Sequence, residues 1–283
     1  MTSSRKRFSV GEIQCIAMND GTLSYPTSWF FSNVPQEQLE GSLRDHNLPL
    51  NQVVTPYTCL FVNTGQDKVL IDTGADGLAA TTGDLLKNLM AEGITPEEIT
   101  TVVLTHAHPD HIGGVLDTNG KAAFPNARYV MSKTEWGFWT SDPDLRDACL
   151  DKEMKDLLVG CARKNLPPLK ECIELLDGQQ EVVPGVYAIP APGHTPGQIA
   201  LVLSSSNAQL LHIADSVLHP MHLEYPAWRN VFDLNENQAA NTRRRLLDRA
   251  AAEQMNVLAY HFPFPGLGHV MNRGNSWRWE SAS

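Results

Sequence analysis

The chain has 283 residues, 42% hydrophobic and 19% charged, with a net charge of −10 at pH 7; this is ordinary for a globular protein with a large core. The negative balance argues against nucleic acid as a partner, because phosphate binding is driven by Lys and Arg, and no apolar run approaches the roughly 18 residues of a membrane span. The five cysteines, Cys15, Cys59, Cys149, Cys161 and Cys172, are odd in number and lack CxxC spacing, which argues against a disulfide framework or a cysteine zinc site and fits free thiols in the cytoplasm.

The N-terminus, MTSSRKR, is basic but no apolar segment follows it; it reads as a solvated tail and not as a secretory signal. FSVGEIQCIAMNDG (8–21) is expected as a strand closing in an Asn-Asp-Gly turn. TPYTCLFVNTGQDKVLIDTG (55–74) reads as a hairpin. GDLLKNLMAEG (83–93) is helical, with Leu85, Leu86, Leu89 and Met90 at helical spacing and a Gly past its end. TPEEIT (95–100) is a short helical turn, and TVVLT (101–105) a buried strand. ARYVMS (127–132) is strand-like, and residues 144–165 read as one long helix with Leu145, Cys149, Leu157, Leu158 and Cys161 inward. Residues 185–216 give three strands; 235–254 form a helix capped by Asn235, with the basic run TRRRLL (242–247) on an exposed face. MNVLAYHF (255–262) is a last buried strand and SWRWE (276–280) an edge strand. No linker or low-complexity tract interrupts the chain, so residues 1–283 are expected to form one domain. Two halves of similar order imply two packed sheets with helices outside.

LTHAHPDHIGG (104–114) places three of the ten histidines and an Asp between His106 and His111. In a strand or loop, residues two apart point the same way, so His106 and His108 can reach one point. Asp110 and His111 follow a stiffening proline. Neutral imidazoles and carboxylates suit borderline divalent metals, and the stretch follows a buried-type strand, where sites concentrate. Three further ligand-type residues close strands: His194 in APGHTPGQ, Asp215 in LLHIADS and His261 in LAYHFPFPG.

In this order the positions resemble the metallo-β-lactamase superfamily over nearly the whole chain, with DTG at 72–74 matching its early Asp motif. The resemblance implies an α+β fold, an αββα sandwich of two mixed sheets packed face to face with helices on both outer sides. It implies two divalent ions, zinc above iron, cobalt or manganese. His106, His108 and His194 would hold the first, and Asp110, His111 and His261 the second. Asp215 would bridge them, and Asp72 would orient the His-rich loop without touching metal. Asp110 and Asp215 are the carboxylates expected to take part in catalysis, through a hydroxide shared by the ions; Ser216 is read as a structural neighbour.

Within the superfamily the chain resembles the branch of N-acyl homoserine lactonases and methyl parathion hydrolase, on GEIQCIAMNDG and HFPFPGLGHV. Those lactonases carry a Tyr three residues after the bridging Asp; here that residue is Leu218. The implied activity is hydrolysis of a small ester, lactone or phosphotriester with an apolar moiety. A glyoxalase II-like thioesterase and a non-catalytic metal or redox sensor are the alternatives. Clustered aromatics suggest an apolar substrate pocket lined by Trp29, Phe30, Phe31, Trp136, Phe138, Trp139 and Phe264, with Leu218, His219 and His222 close to Asp215. The 145–163 helix and these aromatics also fit a homodimer.

Overall fold

The structure, a computed structural model, describes residues 4–146 and 148–282; the expected N-terminal tail and long helix therefore lie outside it at Met1–Ser3 and Asp147. Among the described residues, fourteen strands form two sheets of seven. The first is β1 (Arg5–Val10), β2 (Ile13–Pro26), β3 (Gln52–Asn63), β4 (Lys68–Ile71), β5 (Thr101–Val103), β6 (Arg128–Ser132) and β7 (Ile173–Leu176), side by side in chain order. The second is β8 (Gln180–Val183), β9 (Val186–Pro190), β10 (Ile199–Ser205), β11 (Ala208–His212), β12 (Asn256–Leu258), β13 (Leu267–Arg273) and β14 (Ser276–Ser281), again in chain order. Both sheets are mixed: β4 to β7 run parallel in the first, as do β11 and β12 in the second.

The central strands read as almost unbroken apolar runs because both of their faces are buried. On β3, Leu60 and Val62 pack between the sheets while Tyr57, Cys59 and Phe61 pack outward against helices. On β10, Ile199, Leu201 and Leu203 face inward, and Ala200 and Val202 pack on the opposite side with Leu246 and Leu247 of the helix Glu236–Ala252. The layers are therefore helix, sheet, sheet, helix, the αββα sandwich expected. Among the described residues no helix is long and apolar enough to cross a membrane.

Several local expectations change. FSVGEIQ is a hairpin joining β1 to β2, so Arg5 and Arg7 belong to a strand, where both pair with Glu92. β2 continues through Asn-Asp-Gly as a bulge between Asn19 and Thr22, because the buried Asp20 carboxylate accepts from the backbone N–H groups of Ala75, Gly83 and Leu85. The long helix is only Lys152–Asn165: Asp151 caps it by accepting from Met154 N at 2.8 Å, and Asp144 instead bonds its own local backbone at Arg146. Cys149 consequently lies outside the helix and is exposed, as is Leu157, while Leu158 and Ala162 face inward. In the helix Leu85–Ala91, Leu85, Asn88 and Leu89 are buried; Leu86 and Met90 face out. Asn235 does cap its helix, accepting from Gln238 N at 3.0 Å, but Arg243 of the basic run is buried. The last strand of the core is only Asn256–Leu258, since Tyr260 and His261 turn away at the sheet edge.

Candidate metal centre

β4 and β5 end side by side, and the backbone leaving them is fixed by one carboxylate. Asp72 adopts a left-handed conformation (φ 59°), a costly geometry for a residue with a Cβ. From there its oxygens accept from Thr105 N and Thr105 Oγ1, each at 2.8 Å, and face His111 Nδ1 at 2.8 Å. The short helix Pro109–Ile112 follows, with proline in its first turn. Gly113 and Gly114 let it lie directly on the 73–75 backbone: a Cβ on Gly113 would sit 2.5 Å from the Ala75 carbonyl carbon, and one on Gly114 2.4 Å from Thr73 O. The second sheet contributes His194 from the β9–β10 loop, Asp215 just after β11 and His261 just after β12. Ala214 is also left-handed (φ 45°), turning the chain to present Asp215.

These loops meet at one edge of the sandwich. His106, His108 and His194 place ligand atoms within 4.8 Å of one another, and so do Asp110, His111, Asp215 and His261. The Asp215 carboxylate touches both groups: it lies 3.8 Å from His106 Nε2 and 3.4 Å from His194 Nε2, and 3.3 Å from His111 Nε2 and 3.0 Å from His261 Nε2. His261 Nε2 is also 3.4 Å from Asp110. The Nδ1 atoms of His194 and His261 are held from behind. His194 Nδ1 faces Asp233 at 3.0 Å, and His261 Nδ1 faces Thr55 Oγ1 and the Pro56 carbonyl, both at 3.2 Å. Tyr260 stacks on His111 at 4.0 Å and donates to the Asp110 carbonyl.

The electrostatics are those of a buried charge cluster. Burial, with the neighbouring imidazoles, holds His106 and His108 well below the ordinary histidine range. Burial also opposes a charge on His111, but the carboxylates of Asp215, Asp72 and Asp110 outweigh it and lift His111 well above that range. His261 is raised in the same way by Asp215. Burial would raise Asp215, yet His261 and His111 overrule it and hold the carboxyl well below its usual range.

The arrangement fits divalent cations. His108 turns its Nδ1 to His194 Nε2 at 3.0 Å, and the Nε2 atoms of His106 and His111 and Oδ1 of Asp215 are buried without any hydrogen bond, a costly state for polar atoms. These stranded lone pairs converge, and imidazole plus carboxylate is the donor set borderline divalent ions prefer.

Above the cluster lies a cavity of about 260 Å³. His108, Asp110, His194, Asp215 and His261 reach it, and its other walls are mainly apolar, including Leu23, Tyr25, Phe30, Met154, Leu218 and Phe232. Of the expected pocket residues, then, Phe30 and Leu218 line it. The others do not. Trp29 borders a separate, smaller depression beside Cys149. Phe31, His219 and His222 pack behind Phe30 with Trp228, and His222 Nε2 donates to the Phe30 carbonyl. Trp136, Phe138 and Trp139 join the core outside the first sheet, and Phe264 packs against the core between the sheets. Loop aromatics here found core before they found solvent.

Sequence reasoning missed Glu135. Fully buried, it accepts from Ala107 N, Trp139 Nε1, Thr195 Oγ1 and Gly197 N at 2.8–3.0 Å, tying the loop of His106 and His108 to the loop of His194. Burial raises its pKa and these bonds oppose the rise. Asp233 was missed too. It links His194 to the buried Arg243, whose guanidinium lies 3.4 Å away, and to Asn230, which donates at 2.8 Å. A carboxylate inside EWGFW or NVFDL carries no local mark of this role; the aromatic neighbours that signal burial are the one available hint.

A model of the metallo-beta-lactamase superfamily matches residues 53–261. An N-acyl homoserine lactonase of Bacillus cereus is 26% identical over 183 residues, 58% of this chain and 64% of that protein; the chain thus matches a little under two thirds of that relative's length. Two solved structures align almost end to end, each 28% identical. One is AidC, a dizinc quorum-quenching lactonase in complex with a product, with a TM-score of 0.94 covering 99% of this chain and 98% of that one. The other is the hydrolase AbOPH in the beta lactamase superfamily, with a TM-score of 0.87 covering 100% and 99%.

Proposed function

Because the chain belongs to the metallo-beta-lactamase superfamily, we propose that it is a dinuclear metal-dependent hydrolase, acting as a single domain on a small ester with an apolar acyl part, a lactone foremost. The observation that carries this reading is Asp215. One carboxylate reaches imidazoles of both ligand groups while its own Oδ1, 3.3 Å from His111 Nε2, accepts no hydrogen bond. His106, His108 and His194 would hold one ion, Asp110, His111 and His261 the other, and Asp215 both. When bound, such a pair supplies electrophilic polarisation of the substrate oxygen and water activated near neutral pH. Zinc is the ion the donors suit best.

The rest is done by the chain. Asp72, Asp233 and Thr55 engage the Nδ1 atoms of His111, His194 and His261, which turns each Nε2 toward the centre. The apolar walls receive an acyl chain and exclude water. The two relatives named as lactonases support the lactone; AbOPH, named a hydrolase, supports hydrolysis. A cytoplasmic homodimer is part of the same proposal.

Elemental analysis with a substrate panel tests it. The purified protein should carry two zinc equivalents and hydrolyse N-hexanoyl homoserine lactone faster than paraoxon or S-lactoylglutathione. Two bound metals with no turnover of any of these, or of p-nitrophenyl acetate, would sink the reading; preference for S-lactoylglutathione would make the protein a thioesterase.

A further inference from the structure

Only two hydroxyl-bearing residues, Tyr25 and Thr55, line the described cavity. Thr55 is engaged, its Oγ1 lying 3.2 Å from His261 Nδ1. Tyr25 is different. Its hydroxyl lies 2.7 Å from the hydroxyl of Tyr57, and one of the two must donate.

Tyr57 decides which. It is fully buried, pinned between Tyr260, stacked at 6.3 Å, and His261, edge-on at 5.6 Å. Among the described residues its hydroxyl has no other hydrogen-bond partner. A buried O–H without an acceptor is costly, so Tyr57 donates to Tyr25. The proton of Tyr25 is then left with no acceptor among the described residues. Tyr25 is only half-buried, and its side chain lines the same cavity as Asp110, Asp215 and His261. Its ring is fixed by Phe232 at 5.6 Å and by Trp29 and Phe30 at 6.0 Å. Burial, with the Asp110 carboxylate, pushes the Tyr25 phenol above its ordinary range, so it keeps its proton at neutral pH.

We propose that the Tyr25 hydroxyl donates a hydrogen bond to the substrate carbonyl oxygen as that oxygen gains negative charge, and that Tyr57 is a positioning residue that aims the Tyr25 proton. The inference rests on the hydrolase reading above. A preorganised donor at such an oxygen acts on the transition state more than on the bound substrate.

The test uses the zinc-loaded chain and its Tyr25→Phe, Tyr57→Phe and double variants, with N-hexanoyl homoserine lactone as substrate and hexylphosphonate as a stable anionic mimic for calorimetry. Tyr25→Phe should lower kcat by about 100-fold with KM nearly unchanged, and should weaken hexylphosphonate binding. Tyr57→Phe should cost less, and the double variant no more than Tyr25→Phe alone, since Tyr57 acts only through Tyr25. Zinc content and Tm should stay at the wild-type level in all three. Wild-type kcat in Tyr25→Phe, losses that multiply in the double variant, or a fall in zinc content that tracks the fall in rate would each overturn the proposal while leaving the hydrolase reading intact. A wild-type protein inactive on every ester would remove both.

Discussion

Glu135 shows how much rests on a single side chain away from the proposed metal ligands. Four donors converge on its two oxygens, and all four belong to loops or rings around His108 and His194. Glu135→Gln keeps the volume but turns an amide N–H₂ toward groups that are themselves donors. The variant should lose about 2–4 kcal/mol of stability in denaturant unfolding and bind its first zinc equivalent more weakly in a chelator competition. Wild-type values in both assays would show that the network is slack. The ligand-type residues were legible at this scale because histidine is rare and each candidate closes a strand. Glu135 and Asp233 were not, because burial of a carboxylate is decided by residues far away in sequence, such as Thr195 for one and His194 for the other.

At the scale of elements, period and turn chemistry were enough to locate most strands and helices, and the failures share a cause. Where a polar side chain captured backbone donors, it overrode the local pattern: Asp20 turned an expected Asn-Asp-Gly turn into a bulge within β2, and Asp151 began a helix that apolar spacing had extended back to residue 144. Of the expected aromatic pocket only Phe30 lines the described cavity, and the rest pack elsewhere for another reason. Trp139 and Phe31 look like loop residues in sequence, yet large apolar side chains gain more from burial than from a binding surface. Close packing between elements yields a paired prediction. Gly114→Ala should cost roughly 1–3 kcal/mol and lower occupancy of the site at His111, because its Cβ would meet Thr73 O. Gly137→Ala lies in the helix Lys133–Thr140 with nothing within 4 Å of its Cβ and should stabilise by roughly 0.5–1 kcal/mol. Thermal melts and zinc stoichiometry separate the two; a Gly114→Ala protein that melts like wild type would mean the short helix can lift off without penalty.

For the molecule as a whole, the proposed metal binding would be coupled to stability. A ligand that binds only the folded state at 1,000 times its Kd adds about 4 kcal/mol, so EDTA should lower Tm by on the order of 10 °C. The pH dependence has a definite sign. His111 and His261 are raised in the metal-free fold. Their contribution to its stability is therefore present below the unfolded histidine value and lost as pH rises through their folded values. Zinc requires both rings deprotonated. The melting gap between zinc-loaded and EDTA-treated protein should consequently narrow as pH falls from 8 to 6. A gap independent of pH would mean these two imidazoles are not displaced by metal.

Four of the seven converging groups, His106 to His111, hang from the first sheet, and His194, Asp215 and His261 hang from the second. Any cation seated there would rivet the two leaves of the sandwich along one seam, while elsewhere they are fastened mainly by packed hydrocarbon, with polar ties such as Glu12 N to Ser205 Oγ and Arg128 to the Val182 carbonyl. Stripping that rivet would make the catalytic rim the place where the leaves part first, so the fold's weakest hinge and its chemistry would occupy the same few ångströms.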